Sequence, residues 1–321
     1  MLTISAQDVD RALTETKLVE ALRVAFRDGM VQPVRHHHAV ERPEGATSTL
    51  LLMPAWNDFV AAGTSEGGFI GVKIVTVSPD NNAINKPAVV GLFLLLNGKT
   101  GEPVALIDGP RLTTWRTACA SALASSWLSR EDSSRLLVIG AGAMAPFLMR
   151  AHYAVRPIRQ VRIWNRTPAN AEKLAATLRG EGFDVSATDD LEAALGWADI
   201  ISSATISSEP LVRGSLLKPG THVDLVGAFT PKLRESDDEA IRRARVYVDT
   251  REGAAKEAGD IVQAFASGAL TREGIVADLY ELARGQKLGR QSADEITLFK
   301  SVGAALEDLA AGIAVYKAIS G

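Results

Sequence analysis

The chain holds a single cysteine, Cys119, among its 321 residues. One cysteine cannot close an internal disulfide, which fits a reducing compartment. No basic excess is present either. Lys and Arg number 35 against 38 Asp and Glu, a net charge of −3. Such a surface offers no run of cations to neutralise phosphates, so nucleic acid is not an expected partner. Long apolar runs are also missing. The longest, Ala88–Leu96, is interrupted by Gly91 and falls far short of the roughly 20 residues a membrane helix needs. Asp8, Asp10 and Arg11 enter before any apolar block forms, so no signal peptide is visible. The expectation is a cytoplasmic protein with no membrane partner. There is no internal repeat, no low-complexity tract, and no G-x-S-x-G, P-loop or zinc-ligand pattern. His36, His37 and His38 are adjacent, so they point in different directions. No Cys or acidic residue stands at ligand spacing from them, and no metal is expected.

What remains is ordinary globular composition, with 46% apolar and 23% charged residues. The length suits two domains of about 150 residues each. Ser5 and Asp8 resemble a helix N-cap with an acidic first turn, and residues 6–28 read as one or two helices. From Thr49 to Asp108 short apolar and β-branched runs are separated by Gly, Pro and Asn, which predicts strands joined by turns. Asn97–Gly101 reads as a hairpin turn. Residues 112–128 return to a helical pattern, and Cys119 falls there as a packing residue. The chain then alternates. Strands are predicted at 135–140, 160–165, 199–205, 221–229 and 245–250, with helices between them, the clearest at 168–180. A last long helix is predicted over 296–319. Strand–helix alternation at this pitch predicts an α/β fold with a doubly wound parallel sheet, preceded by a strand-rich α/β domain.

Gly140-Ala141-Gly142-Ala143-Met144-Ala145 is a G-x-G-x-x-A sequence. Alone it is a weak signal. Here it follows the strand Leu136–Ile139 and opens a predicted helix at 145–154. The first glycine permits the tight turn, and the second lets a pyrophosphate approach the backbone at the helix N-terminus. The small residue in sixth place lets helix pack on strand. The next strand ends at Asn165-Arg166-Thr167. An acidic residue there would accept from a ribose 2′-hydroxyl and repel a 2′-phosphate. Arg166 instead favours NADPH, with NADH as the lesser expectation.

Three basic residues stand out in the N-terminal part. Lys73 lies mid-strand in an apolar run, where it must reach water or an anion. Arg116 sits in a helical stretch poor in other charge, and Arg35 follows Pro33. Taken singly, such residues are more often solvated or snorkelling than ligand-bound. Together, an Arg fork and a second cation suit a carboxylate.

VQPVR (31–35), LLMPAW (51–56), GVKIVTVSPDN (71–81), ALIDG (105–109), RTACASALA (116–124), GAGAMA (140–145), IWNRT (163–167), EAGD (257–260) and FKSVGAALED (299–308) carry a resemblance. In this order they resemble the ornithine cyclodeaminase/mu-crystallin family, nearest its NADPH-dependent mu-crystallin-like ketimine reductase branch. The resemblance implies a Rossmann domain over 119–302. It also implies a substrate-binding and dimerisation domain over 1–118 and 303–321, in a homodimer. By motif, Arg35, Lys73 and Arg116 match the residues that hold the substrate carboxylate, with Lys73 and Arg116 as the catalytic pair and Arg116 also toward the cofactor. Gly140, Gly142, Ala143 and Met144 match the pyrophosphate loop. Asn165, Arg166 and Thr167 match the 2′-phosphate contacts. Thr205, Val226 and Ser301 match positions near the cofactor's ribose and nicotinamide.

One departure bears on the reaction. Cyclodeaminases and alanine dehydrogenases of this family carry an Asp two residues after the Gly of the V-G motif. Here the motif is Val226-Gly227-Ala228-Phe229, so Phe229 takes that substrate-facing place and cannot act as acid or base. Asp224 is an odd number of residues away and should face the other side of the strand. The expected activity is therefore NADPH-dependent reduction of a cyclic imine carboxylate, Δ1-pyrroline-2-carboxylate or Δ1-piperideine-2-carboxylate, to proline or pipecolate. Ornithine cyclodeaminase, an alanine or other amino-acid dehydrogenase, and a non-catalytic NADPH- or ligand-binding protein are the alternatives.

Overall fold

The structure, a computed structural model, describes residues 1–321 apart from the side chain of Asn82. It divides into two compact units, Met1–Arg116 with Ala304–Gly321, and Thr117–Gly303. The helix Gly109–Leu128 carries the chain from one to the other, with Cys119 buried in it.

The first unit opens on β1 (Leu2–Ile4) and two helices, Ala6–Ala12 and Glu15–Asp28. Ser5 caps the first with a full capping box through Asp8. The remaining strands are β2 (Met30–Val31), β3 (His36–Val40), β4 (Ser48–Asn57), β5 (Phe69–Val77), β6 (Val89–Asn97) and β7 (Pro103–Asp108). The sheet order is β1-β7-β6-β5-β4-β2, with β3 beside β4. β1 and β7 are parallel, and the other pairs are antiparallel. The predicted hairpin joins β6 to β7, where the Asn97 side chain accepts from the N–H groups of Lys99 and Thr100. Strand side chains alternate between faces. Met53, Lys73, Phe93 and Ile107 lie in register on one face and are buried. The C-terminal helix, Ala305–Ser320, packs on it. Pro54, Val72, Leu94 and Leu106 form a row on the opposite face, apolar and only partly buried.

The second unit contains β8 (Arg135–Ile139), β9 (Gln160–Trp164), β10 (Val185–Thr188), β11 (Ile200–Ser203), β12 (His222–Leu225), β13 (Ala244–Val248), β14 (Ile275–Asp278) and β15 (Ile296–Lys300). All pair in parallel, in the order β10-β9-β8-β11-β12-β15-β13-β14. Both faces are apolar, as a sheet covered by helices requires. The order reverses between β8 and β11. A crevice for a ligand opens at the carboxyl ends of the strands at such a point.

Two sequence expectations are corrected. Residues 296–319 are not one helix. Ile296–Lys300 is β15, inserted between β12 and β13, and the helix starts at Ala305. Three of the four residues Ile296–Phe299 are β-branched or aromatic and suit a buried strand, and Gly303 then breaks the run. The strand predicted over 221–229 ends at Leu225, because Ala228 takes a left-handed φ of 44° and turns the chain. Among the described residues, no helix is long and apolar enough to cross a membrane.

Candidate active site

β8 ends at Ile139 and the chain turns at once. Gly140 has φ 106°, and a Cβ there would stand 2.8 Å from the Ala204 carbonyl oxygen at the end of β11. Only glycine fits that turn. Gly142 is different. It is exposed, and a Cβ there would meet no protein atom within 4 Å. Nothing inside the protein requires that glycine, whereas a ligand lying on the backbone would. Among the described residues, the N–H groups of Gly142, Ala143 and Met144 donate to no protein acceptor. They precede the helix Ala145–Val155, whose first turn has no acidic residue. Open donors and a helix N-terminus suit a diphosphate. The residues present therefore fit a dinucleotide.

The end of β9 borders this turn. Asn165 Oδ1 accepts from the Ala141 N–H at 3.2 Å, and its Nδ2 donates to the Thr167 carbonyl at 3.0 Å. Asn165 thus ties the two turns together. Arg166 and Thr167 are exposed beside it, at the N-terminus of the helix Pro168–Gly180. Two further edges come from β11 and β12. The Val226 N–H donates to the Ser203 carbonyl at 2.8 Å, and the Ser301 N–H to the Leu225 carbonyl at 3.2 Å. Thr205, Val226 and Ser301 therefore stand on adjacent strand ends, all in the second unit.

The first unit builds a cluster of charge. Lys73 and Arg116 are only 4% and 6% exposed. Lys73 Nζ lies 2.7 Å from Asp308 Oδ2. Arg116 donates from Nε to Asp308 at 3.0 Å and from Nη1 to Glu307 at 2.7 Å. Glu307 and Asp308 are fully buried in the first turn of the C-terminal helix. Burial pushes the Lys73 ammonium down to about 8, against the attraction of Asp308 and with the Arg116 and Arg35 charges adding to the fall. Burial also works against the Arg116 charge, yet Asp308 and Glu307 outweigh it and raise its value. Two buried carboxylates thus hold Lys73 and Arg116 in place.

Sequence reading singled out the cations but not Glu307 and Asp308. Acidic residues in a first helical turn read as ordinary partners of the helix dipole. Their burial follows from the helix returning onto the sheet, which no local pattern reveals.

Phe229 follows the turn at Ala228 and is 51% exposed. Asp224 does not substitute for the missing acid. It is fully buried and accepts from Ser121 at 2.8 Å and Ser202 at 2.6 Å, with His152 Nε2 at 3.4 Å. It lies inside the strand, committed to core partners.

The model of the ornithine cyclodeaminase/mu-crystallin family matches residues 2–321. The chain is 40% identical over 295 residues to the Δ1-pyrroline-2-carboxylate reductase of Paracoccus denitrificans, covering 89% of this chain and 90% of that one. It is 35% identical over 325 residues to the ketimine reductase mu-crystallin of Mus musculus, covering 98% and 96%. Among solved structures, the Δ1-pyrroline-2-carboxylate reductase of Thermococcus litoralis, in complex with NADH and L-proline, superposes with a TM-score of 0.90. The identity is 33%, over 99% of this chain and 97% of that one.

Proposed function

The chain belongs to the ornithine cyclodeaminase/mu-crystallin family, and we propose that it is an NAD(P)H-dependent reductase of cyclic imine carboxylates. Δ1-Pyrroline-2-carboxylate is the first substrate to offer, with proline as product. Δ1-Piperideine-2-carboxylate, giving pipecolate, is the ring-expanded counterpart. The buried pair Lys73 and Arg116 carries this reading, because two ordered cations can grip a small carboxylate.

Arg35, Lys73 and Arg116 bind and orient the substrate carboxylate. Asp308 and Glu307 keep Lys73 and Arg116 from turning away, so the cations are ordered before substrate arrives. Gly140, Gly142, Ala143 and Met144 take the diphosphate of the cofactor, and Asn165, Arg166 and Thr167 its adenosine end. Thr205, Val226 and Ser301 take the ribose and nicotinamide end. The cofactor, when bound, supplies the hydride. Phe229 offers no proton, and none is required from it, since an imine nitrogen can be protonated before reduction.

NADPH is the preferred cofactor in this reading, because Arg166 is exposed at a helix N-terminus with no acidic residue beside it. Arg166→Ala is expected to lower the preference for NADPH over NADH by about 10- to 100-fold, the worth of one charge-assisted phosphate contact. Kinetics with NADH should barely move. An unchanged preference, measured as the ratio of kcat/KM values, assigns the selectivity elsewhere.

Lys73 gives a pH dependence. It is charged below about 8 and neutral above, so a carboxylate should bind more weakly as pH rises through that value. Pyrrole-2-carboxylate is the suitable probe, because its ring nitrogen does not titrate there. Its affinity should fall up to about tenfold per pH unit above the Lys73 value, until bound Lys73 also loses its proton. Equal affinity at pH 7 and pH 9.5 contradicts the clamp.

The apolar row Pro54, Val72, Leu94 and Leu106 supports a homodimer in which two sheets face each other. Sedimentation at the mass of one chain would contradict it. The single buried Cys119 suits a reducing cytoplasm, the compartment we assign.

A further inference from the structure

A second buried charge cluster lies in the second unit, and the reduction itself does not use it. Glu235 is fully buried. Its Oε1 accepts from Ser203 Oγ at 2.7 Å, the Thr205 N–H at 2.8 Å and Thr205 Oγ1 at 2.9 Å. Its Oε2 is buried with no hydrogen-bond partner. From β15, Lys300 Nζ donates to the Leu225 carbonyl at 3.1 Å and to the Gly227 carbonyl. From the helix Gly259–Ser267, Asp260 Oδ2 lies 4.0 Å from Lys300 Nζ. Asp260 Oδ1 accepts from the Glu235 and Ser236 N–H groups and from Ser236 Oγ, all within 2.9 Å. Asp249, after β13, takes the Val302 and Gly303 N–H groups and also sits in the field of Lys300. From the ends of β11 and β12, Ser203, Thr205 and Gly227 lie against Glu235. One ammonium therefore serves three buried carboxyls.

We propose that Glu235 is a positioning residue of the reductase. It acts through Thr205 and, by whether or not it carries a proton, sets the preference between reduced and oxidised cofactor. This rests on the reading above, in which Thr205, Val226 and Ser301 meet the nicotinamide end.

Two physical steps lead there. First, the Thr205 hydroxyl proton is committed to Glu235, so Thr205 Oγ1 can only accept from a ligand. Second, oxidised nicotinamide carries a positive charge and reduced nicotinamide does not. The two cofactors otherwise share every charge, the 2′-phosphate included. An ionised Glu235 favours the oxidised ring, and a neutral one removes that advantage. Burial, together with Asp260, pushes Glu235 up to about 7 against the pull of Lys300, so both forms occur near neutrality.

The test is the dissociation constants of NADPH and NADP⁺, measured by calorimetry from pH 6 to 8.5 on the whole protein. Titration of the 2′-phosphate cancels in their ratio. The ratio Kd(NADPH)/Kd(NADP⁺) is expected to rise about 3- to 10-fold over this range, the size of a partly screened charge–charge coupling. In Glu235→Gln, which keeps an acceptor for Thr205 but cannot ionise, it should stay at its pH 6 value. A wild-type ratio that is flat overturns the inference whether or not the variant folds. So does a ratio that moves equally in Glu235→Gln. Failure of either cofactor to bind at any pH removes the cofactor reading itself, and this inference with it.

Discussion

Arg116→Ala is expected to lose both stability and turnover, for two separable reasons. Glu307 and Asp308 are fully buried, and Arg116 reaches both. Removing one partner of a buried ion cluster costs about 3–5 kcal/mol. Loss of the fork that grips the substrate should also lower kcat/KM for the imine by about 10²- to 10⁴-fold, from the 2–5 kcal/mol such truncations typically cost. The two effects part in a combined variant. Adding Glu307→Gln to Arg116→Ala removes the carboxylate that Arg116 compensated and leaves Asp308 paired with Lys73, so the unfolding midpoint should recover most of its loss. Turnover should not recover. If turnover returns with stability, Arg116 holds the fold and not the substrate. If Arg116→Ala keeps wild-type kcat/KM, the clamp is wrongly assigned.

Two glycines near the cofactor turn should respond in opposite ways. Gly142 has open space where a Cβ would go. Gly142→Ala should therefore leave the thermal midpoint nearly unchanged, yet weaken NADPH by about tenfold or more, the 1.4 kcal/mol of a hindered backbone contact. At Gly227 a Cβ would stand 2.0 Å from the Thr205 carbonyl oxygen and 2.7 Å from the Glu235 carboxyl. Backbone cannot give way cheaply there. Gly227→Ala should cost about 1–3 kcal/mol of stability as an overpacked site, and NADPH affinity should fall with it. Calorimetry with thermal unfolding checks both. A destabilised Gly142→Ala with normal cofactor affinity would mean that the glycine serves the fold alone.

Much of this was readable in the chain. The strand before Gly140, the helix after it and the alternation that follows led directly to the parallel sheet. Lys73 was marked by its setting, since a cation inside an apolar strand needs a partner. Its partner was not readable, because Asp308 comes from a helix that returns to the sheet from the far end of the chain. β15 was hidden in a run that continues apolar beyond Gly303, although that glycine marks the break. Lys300 fell within the predicted helix 296–319. It is instead a buried strand residue whose ammonium is satisfied by backbone carbonyls. Glu235 carried no local signal at all, being one acidic residue in a charged loop. Periodicity identifies elements, whereas these charges are defined by contacts between elements far apart in sequence.

The decisive measurement offers the purified protein Δ1-pyrroline-2-carboxylate with NADPH, then with NADH, following nicotinamide absorbance. Ornithine with NAD⁺ is the parallel arm. The expected result is rapid consumption of NADPH, slower consumption of NADH, proline as product, and no ammonia from ornithine, since Phe229 supplies no base. Proline and ammonia from ornithine, with the imine inert, would contradict it and would mean that a group other than residue 229 handles the proton.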